Sequence, residues 1–167
     1  MFEDLQSHSR IVVTGPQRSG TRIAARMIAA DIGHRYVDEF NFGVHDHALW
    51  RRVLAMDSVV VQSPAMLKHV IDDPPPGVFV VLMRRSLEEI HASEDRIGWE
   101  RDLRGNTREL VKYGLREGDS ARIKYDYWDH HERAFAYREV EYTSLRGHPL
   151  WVTENLRRDF GPLQTAP

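Results

Sequence analysis

The most constraining stretch of this chain is residues 10–30, RIVVTGPQRSGTRIAARMIAA. An apolar run, Ile11-Val12-Val13, breaks at Thr14-Gly15, a tight polar loop follows through Pro16-Gln17-Arg18-Ser19-Gly20, and a helical pattern begins at Thr21. A buried strand that feeds a helix through so short a loop must present the helix's unpaired first N–H groups at the end of the strand. Those donors, with the positive end of the helix dipole, favour a phosphate or sulfate. Gly15 and Gly20 suit a loop that wraps closely around an anion, because no Cβ obstructs the approach.

Gly15 and Gly20 have the separation of the triphosphate-binding loop G-x-x-x-x-G-K-[ST]. The lysine position holds Thr21, however, and the position of the magnesium-binding hydroxyl holds Arg22. The positive charge sits earlier, at Arg18 inside the loop. The later apolar runs Val59-Val60-Val61 and Val78-Phe79-Val80-Val81-Leu82 end in Gln62-Ser63 and Met83-Arg84-Arg85, and neither ends in an aspartate that would hold magnesium. The expected chemistry is transfer of an anionic group without a metal.

Strand and helix patterns alternate through the first hundred residues. Strands are expected at Ile11–Thr14, Tyr36–Phe40, Val59–Gln62 and Val78–Met83, and helices at Arg22–Asp31, His47–Met56, Ala65–Ile71 and Leu87–Ser93. This order predicts an α/β fold, a parallel sheet with helices on both faces. Ligands of such sheets bind beyond the carboxyl ends of the strands. Further on, helices are expected at Asn106–Glu117, Ala121–Phe135 and Leu150–Asp159, with a last strand at Arg138–Tyr142. The span 106–135 is a candidate helical lid or acceptor-side segment within one domain, 1–167. That length supports a single hydrophobic core. A formal net charge of −2 argues against a general nucleic-acid surface, and the lack of cysteine excludes disulfides, thiolate metal sites and a cysteine nucleophile. No apolar run reaches membrane-spanning length and residues 1–10 lack an apolar signal core, so a soluble cytoplasmic protein is expected, with no membrane partner.

A second informative stretch is VFVVLMRRSLEEIHASEDR, residues 78–96. Ser86 and Glu89 have the spacing of a capping box. Arg85 and Ser93, eight residues apart, place an arginine at a strand end and a hydroxyl two turns into the next helix, where both can reach one phosphate. By spacing alone, an exposed arginine pair and a solvent-facing serine are the favoured reading.

Taken together, these segments resemble the P-loop sulfotransferases, which use 3′-phosphoadenosine 5′-phosphosulfate. GPQRSGT after a buried strand is similar to their sulfate-binding loop. LMRRSLEEIHAS is similar to their second signature, whose Arg and Ser, eight apart, hold the donor's 3′-phosphate. Gln62-Ser63-Pro64-Ala65 is similar to the K-S-P-A segment of the carbohydrate enzymes with Gln62 in place of lysine, and Tyr142-Thr143-Ser144-Leu145 to a late Tyr-x-x-Leu segment. The resemblance implies a three-layer α/β/α P-loop NTPase-like fold. It implies donor contacts from Gly15, Pro16, Gln17, Arg18, Ser19, Gly20, Thr21, Arg22, Arg85 and Ser93, with the loop N–H groups of residues 18–21 and the hydroxyls of Ser19 and Thr21 on the sulfuryl group. Arg18 would stabilise the charge that grows on the leaving phosphate. It further implies a carboxylate base in Val37-Asp38-Glu39-Phe40. Glu39 is the choice, with Asp38 and His45 as substitutes, acting on the hydroxyl of a small-molecule or carbohydrate acceptor.

The chain is short for that family, and a later basic glycine loop has no clear copy. Two other classes therefore fit the same loop: a small nucleotide or metabolite kinase, and a non-catalytic nucleotide-binding module. His45 and His47 around Asp46, and His130-His131 beside Asp129, lack a third metal ligand and read as solvated histidines. Tyr125, Tyr127 and Trp128 fit either a stacking platform for an acceptor or core packing.

Overall fold

The computed structural model describes residues 1–44, 46–98 and 107–151. His45, Asn106 at the start of the helix expected at Asn106–Glu117, and all but the first two residues of the helix expected at Leu150–Asp159, lie outside the described residues.

Five parallel strands form one sheet, in the order β2-β3-β1-β4-β5. They are β1 Arg10–Thr14, β2 Arg35–Asp38, β3 Val59–Gln62, β4 Phe79–Arg84 and β5 Tyr137–Glu141. The helices are α1 Thr21–Ile32, α2 His47–Leu54, α3 Leu67–Asp72, α4 Leu87–Arg96, α5 Thr107–Lys112 and α6 Ser120–His130. The chain leaves β1 toward β3 and β2 on one side, then crosses to β4 and β5 on the other. The carboxyl end of β1 is therefore the point where the strand order reverses, which is where open parallel sheets bind ligands.

Alternation along the central strands divides the core into two layers. Ile11, Val13, Val60, Val81 and Met83 pack with Ala24, Ala25, Met27 and Ile28 of α1. Val12, Val59, Val61, Val80 and Leu82 pack on the other face with Trp50 of α2, Leu67 and Val70 of α3, and Trp128 of α6. The result is the three-layer α/β/α arrangement expected. Continuous valine-rich runs are what a strand covered on both faces requires.

Several element ends differ from the sequence expectation, among them α5, which stops at Lys112 and not at Glu117; three of them have a clear local reason. β2 stops at Asp38 because the Asp38 carboxylate accepts the Phe40 N–H at 3.1 Å while Asn41 Oδ1 accepts the Asp38 N–H at 3.0 Å, which closes a 3-10 turn over Glu39–Asn41. Pro64 opens a 3-10 turn before α3, so that helix starts at Leu67. α6 is capped by Asp119 and ends at His130, five residues before the end expected from sequence, with His131 already extended. Its Trp128 is wholly buried against the sheet, and Tyr125, nearly buried, packs against Ile90 and Leu87 of α4.

Candidate functional site

The loop after β1 is built on two left-handed glycines. Gly15 has φ 137°, and a Cβ there would lie 2.9 Å from the Met83 carbonyl oxygen on the neighbouring strand. Gly20 has φ 99° and caps α1 without a side chain. Its would-be Cβ would lie 2.5 Å from the Tyr142 ring, so the loop seats directly on that ring. Arg18, between them, holds φ 66°. A non-glycine residue in this region carries roughly 1–2 kcal/mol of backbone strain, a cost commonly met at functional loops.

The loop also satisfies part of itself. The Ser19 N–H and Oγ–H both donate to the Pro16 carbonyl, at 3.2 and 2.7 Å, and Ser19 is wholly buried. Ser19 thus shapes the turn from within, its N–H and hydroxyl both committed to the Pro16 carbonyl. The Thr21 hydroxyl accepts from Gln62 Nε2 at 3.1 Å, leaving its own proton to donate. Arg22 turns sideways: its Nε pairs with the buried Asp38 at 2.9 Å and its guanidinium lies 5.4 Å from the Phe40 ring centre.

Arg85 and Ser93 are brought together, and the place where they meet is Arg18. The hydroxyl of Ser93, a residue only 2 % exposed, accepts from Arg18 Nε and Nη2 at 3.1 and 3.0 Å. Arg85 Nη1 donates to the Arg18 carbonyl at 2.9 Å, and its guanidinium stacks 4.0 Å from the Tyr142 ring centre. The Arg85 N–H donates to the Tyr125 hydroxyl, which fixes where β4 hands over to α4. Ser86 caps α4 by accepting the Glu89 N–H, as its spacing with Glu89 predicts. The solvent-facing alternative for Ser93 is thereby set aside.

Glu39 stands at the end of β2, buried. Its Oε2 accepts the Ala65 N–H at 3.3 Å, and its own N–H donates to Gln62 Oε1 at 3.4 Å. Gln62 therefore bridges Glu39 to Thr21, and so to the loop. Burial raises the Glu39 carboxyl from its ordinary 4.5 to about 7, against the Ala65 N–H and the charge of Lys124; Asp38 pushes upward and Arg22 downward. A carboxyl with this affinity exchanges a proton near neutral pH, as general acid–base chemistry requires. The adjacent Ser63, which follows β3, is held by Trp50 Nε1 on its Oγ at 3.2 Å and by Thr14 Oγ1 on its carbonyl at 3.1 Å.

Lys124 and Glu109 went unnoticed in the sequence. Lys124, on α6, is wholly buried, and three oxygens surround its ammonium. They are Gln17 Oε1 at 2.7 Å, the Pro64 carbonyl at 2.9 Å and Glu109 Oε1 at 2.7 Å. Burial lowers its proton affinity below the ordinary lysine value, while Glu109 and Glu39 pull the other way. Burial would raise Glu109, but Lys124 and Lys112 together hold it below the usual carboxylate range. A signal was present in the sequence. Ala121, Lys124, Tyr125 and Trp128 share one helical stripe, and a lysine in a stripe that faces the core needs a buried partner. Among the described residues no group of His, Asp and Glu is arranged to hold a metal ion.

No family model matches this sequence, and no curated protein matches it. Solved structures share its fold. A sugar kinase from Janibacter sp. HTCC2649, unliganded, superposes with a TM-score of 0.50 at 15% identity, over 81% of this chain and 86% of that one. A shikimate kinase from Acinetobacter baumannii in complex with shikimate gives 0.48 at 14% identity, over 77% and 80%. The chain has an α/β fold with a single parallel five-stranded sheet, similar to that of the sugar kinase.

Proposed function

We propose that this chain is a group transferase that moves a sulfuryl group from 3′-phosphoadenosine 5′-phosphosulfate to an acceptor hydroxyl on a small molecule or carbohydrate. The observation that carries the reading is the meeting of Arg18, Arg85 and Ser93 beside a glycine loop whose lysine and metal-hydroxyl positions hold Thr21 and Arg22. An arginine fork and a serine hydroxyl that already share one loop residue offer donors to a terminal phosphate. The remaining loop N–H groups and Arg18 face the charge that grows on the leaving phosphate and the transferred oxygens. Glu39 takes the proton of the acceptor hydroxyl as its oxygen bonds to sulfur, and the bond from sulfur to the donor's phosphate oxygen breaks. No divalent ion is called for in this scheme.

The test is calorimetry with adenosine 3′,5′-bisphosphate, with and without magnesium, followed by donor turnover against a panel of sugars and alcohols. Micromolar binding that does not depend on magnesium and weakens at least tenfold in Ser93→Ala supports the reading. Binding of ATP only, and only with magnesium, overturns it.

Phosphoryl transfer is the second reading. The likeness to a sugar kinase favours it, as does a lysine, Lys124, bonded to the loop residue Gln17. Magnesium-dependent transfer from ATP to a sugar would establish it.

A further inference from the structure

Gln62 places an uncharged amide where the resemblance expects a lysine, yet the corner it occupies is not without a cation. Lys124 reaches it from α6, across 107 residues of sequence from its loop partner Gln17. Its ammonium lies on the Pro64 carbonyl, within the segment Ser63–Ala65 whose last N–H holds the Glu39 carboxylate. One wholly buried group therefore touches the anion loop through Gln17 and the support of the candidate base through Pro64. On a third side, Glu109 of α5 pairs with it at 2.7 Å, and Lys112 of the same helix pairs with Glu109 at 3.2 Å and donates to the Ala65 carbonyl at 3.1 Å.

A buried ion pair is expensive to maintain. Hydrophobic residues of similar volume at the two positions are often as stable or more so. Its place beneath a loop and a carboxylate points to a role beyond packing.

We infer that Lys124 is a positioning residue that locks the anion loop to the Ser63–Ala65 corner and supplies from α6 the positive charge that tunes Glu39. The inference rests on Glu39 as the base in the reading above, but not on which anion the loop carries. The charged groups that face Glu39 are Asp38, the last residue of β2 just before it, Arg22 on α1 and Lys124 on α6. Arg22 has more than half its side chain in solvent, whereas Lys124 is fully enclosed, so its charge acts on Glu39 with the least screening.

The experiment follows the Glu39 side-chain carboxyl carbon by NMR across pH 4–10, its signal identified by its loss in Glu39→Gln. It requires neither donor nor acceptor. In Lys124→Met the Glu39 midpoint moves upward by about one pH unit. The double variant Lys124→Met/Glu109→Gln, which leaves no orphaned carboxylate, moves the same way. In the unaltered protein the Lys124 ε-methylene signal shows an inflection at the Glu39 midpoint, a readout that needs no variant. An unmoved or lowered Glu39 midpoint in either folded variant, or no shared inflection in the unaltered protein, overturns the inference. Failure to bind bisphosphate would count against the sulfuryl reading alone.

Discussion

Replacing Glu39 with glutamine should make the protein more stable at alkaline pH, and by an amount that depends on pH in a defined window. Burial raises the folded carboxyl from 4.5 to about 7. A group whose folded affinity is raised favours the folded state fully below its unfolded value, and that contribution is lost as pH climbs through the folded value. The difference of 2.5 units corresponds to about 3 kcal/mol. The glutamine has no such transition, and its Oε1 can still accept the Ala65 N–H. Urea unfolding at half-unit steps from pH 4.5 to 8.5 measures the stability of both proteins. The variant should gain on the wild type by about 3 kcal/mol across that range, with most of the gain below pH 7, while transfer activity falls at every pH. A stability gap that is flat with pH, or that moves toward the wild type as pH rises, would refute the burial argument for Glu39.

Gly20→Ala should cost about 2–5 kcal/mol in chemical denaturation, from the left-handed backbone and from the collision with the Tyr142 ring. Arg85→Ala removes the guanidinium between the Arg18 carbonyl and Tyr142 and should weaken bisphosphate binding by roughly ten- to a hundredfold in calorimetry, with Arg85→Lys recovering only part of it. Trp128→Ala should destabilise by about 3–5 kcal/mol, because the ring is wholly buried and its Nε1–H donates to Glu139.

The sheet and the loop were legible because short-range physics decides them. Valine runs of strand length have few alternatives, and the helix that follows Gly20 must begin where the loop ends. Ser93 was legible as half of a spacing, but its burial was not, since only the fold brings Arg18 against it. Ser19 reads in the sequence as a ligand contact, whereas its hydroxyl is bonded to Pro16 inside the turn. Lys124 was missed for a topological reason. Its partners Gln17, Pro64 and Glu109 lie in three separate segments, and no local pattern joins them. The short helical stripe around it held the one clue.

Amide NMR of the loop tests the central claim most directly. Uniformly labelled protein is titrated with sulfate and then with adenosine 3′,5′-bisphosphate, and the N–H signals of Gln17, Arg18, Gly20, Thr21 and Arg22 are followed. They should move together and saturate with each ligand, and Ser19, bonded to Pro16, should move least. Saturating shifts elsewhere on the molecule with these amides unmoved would contradict the account.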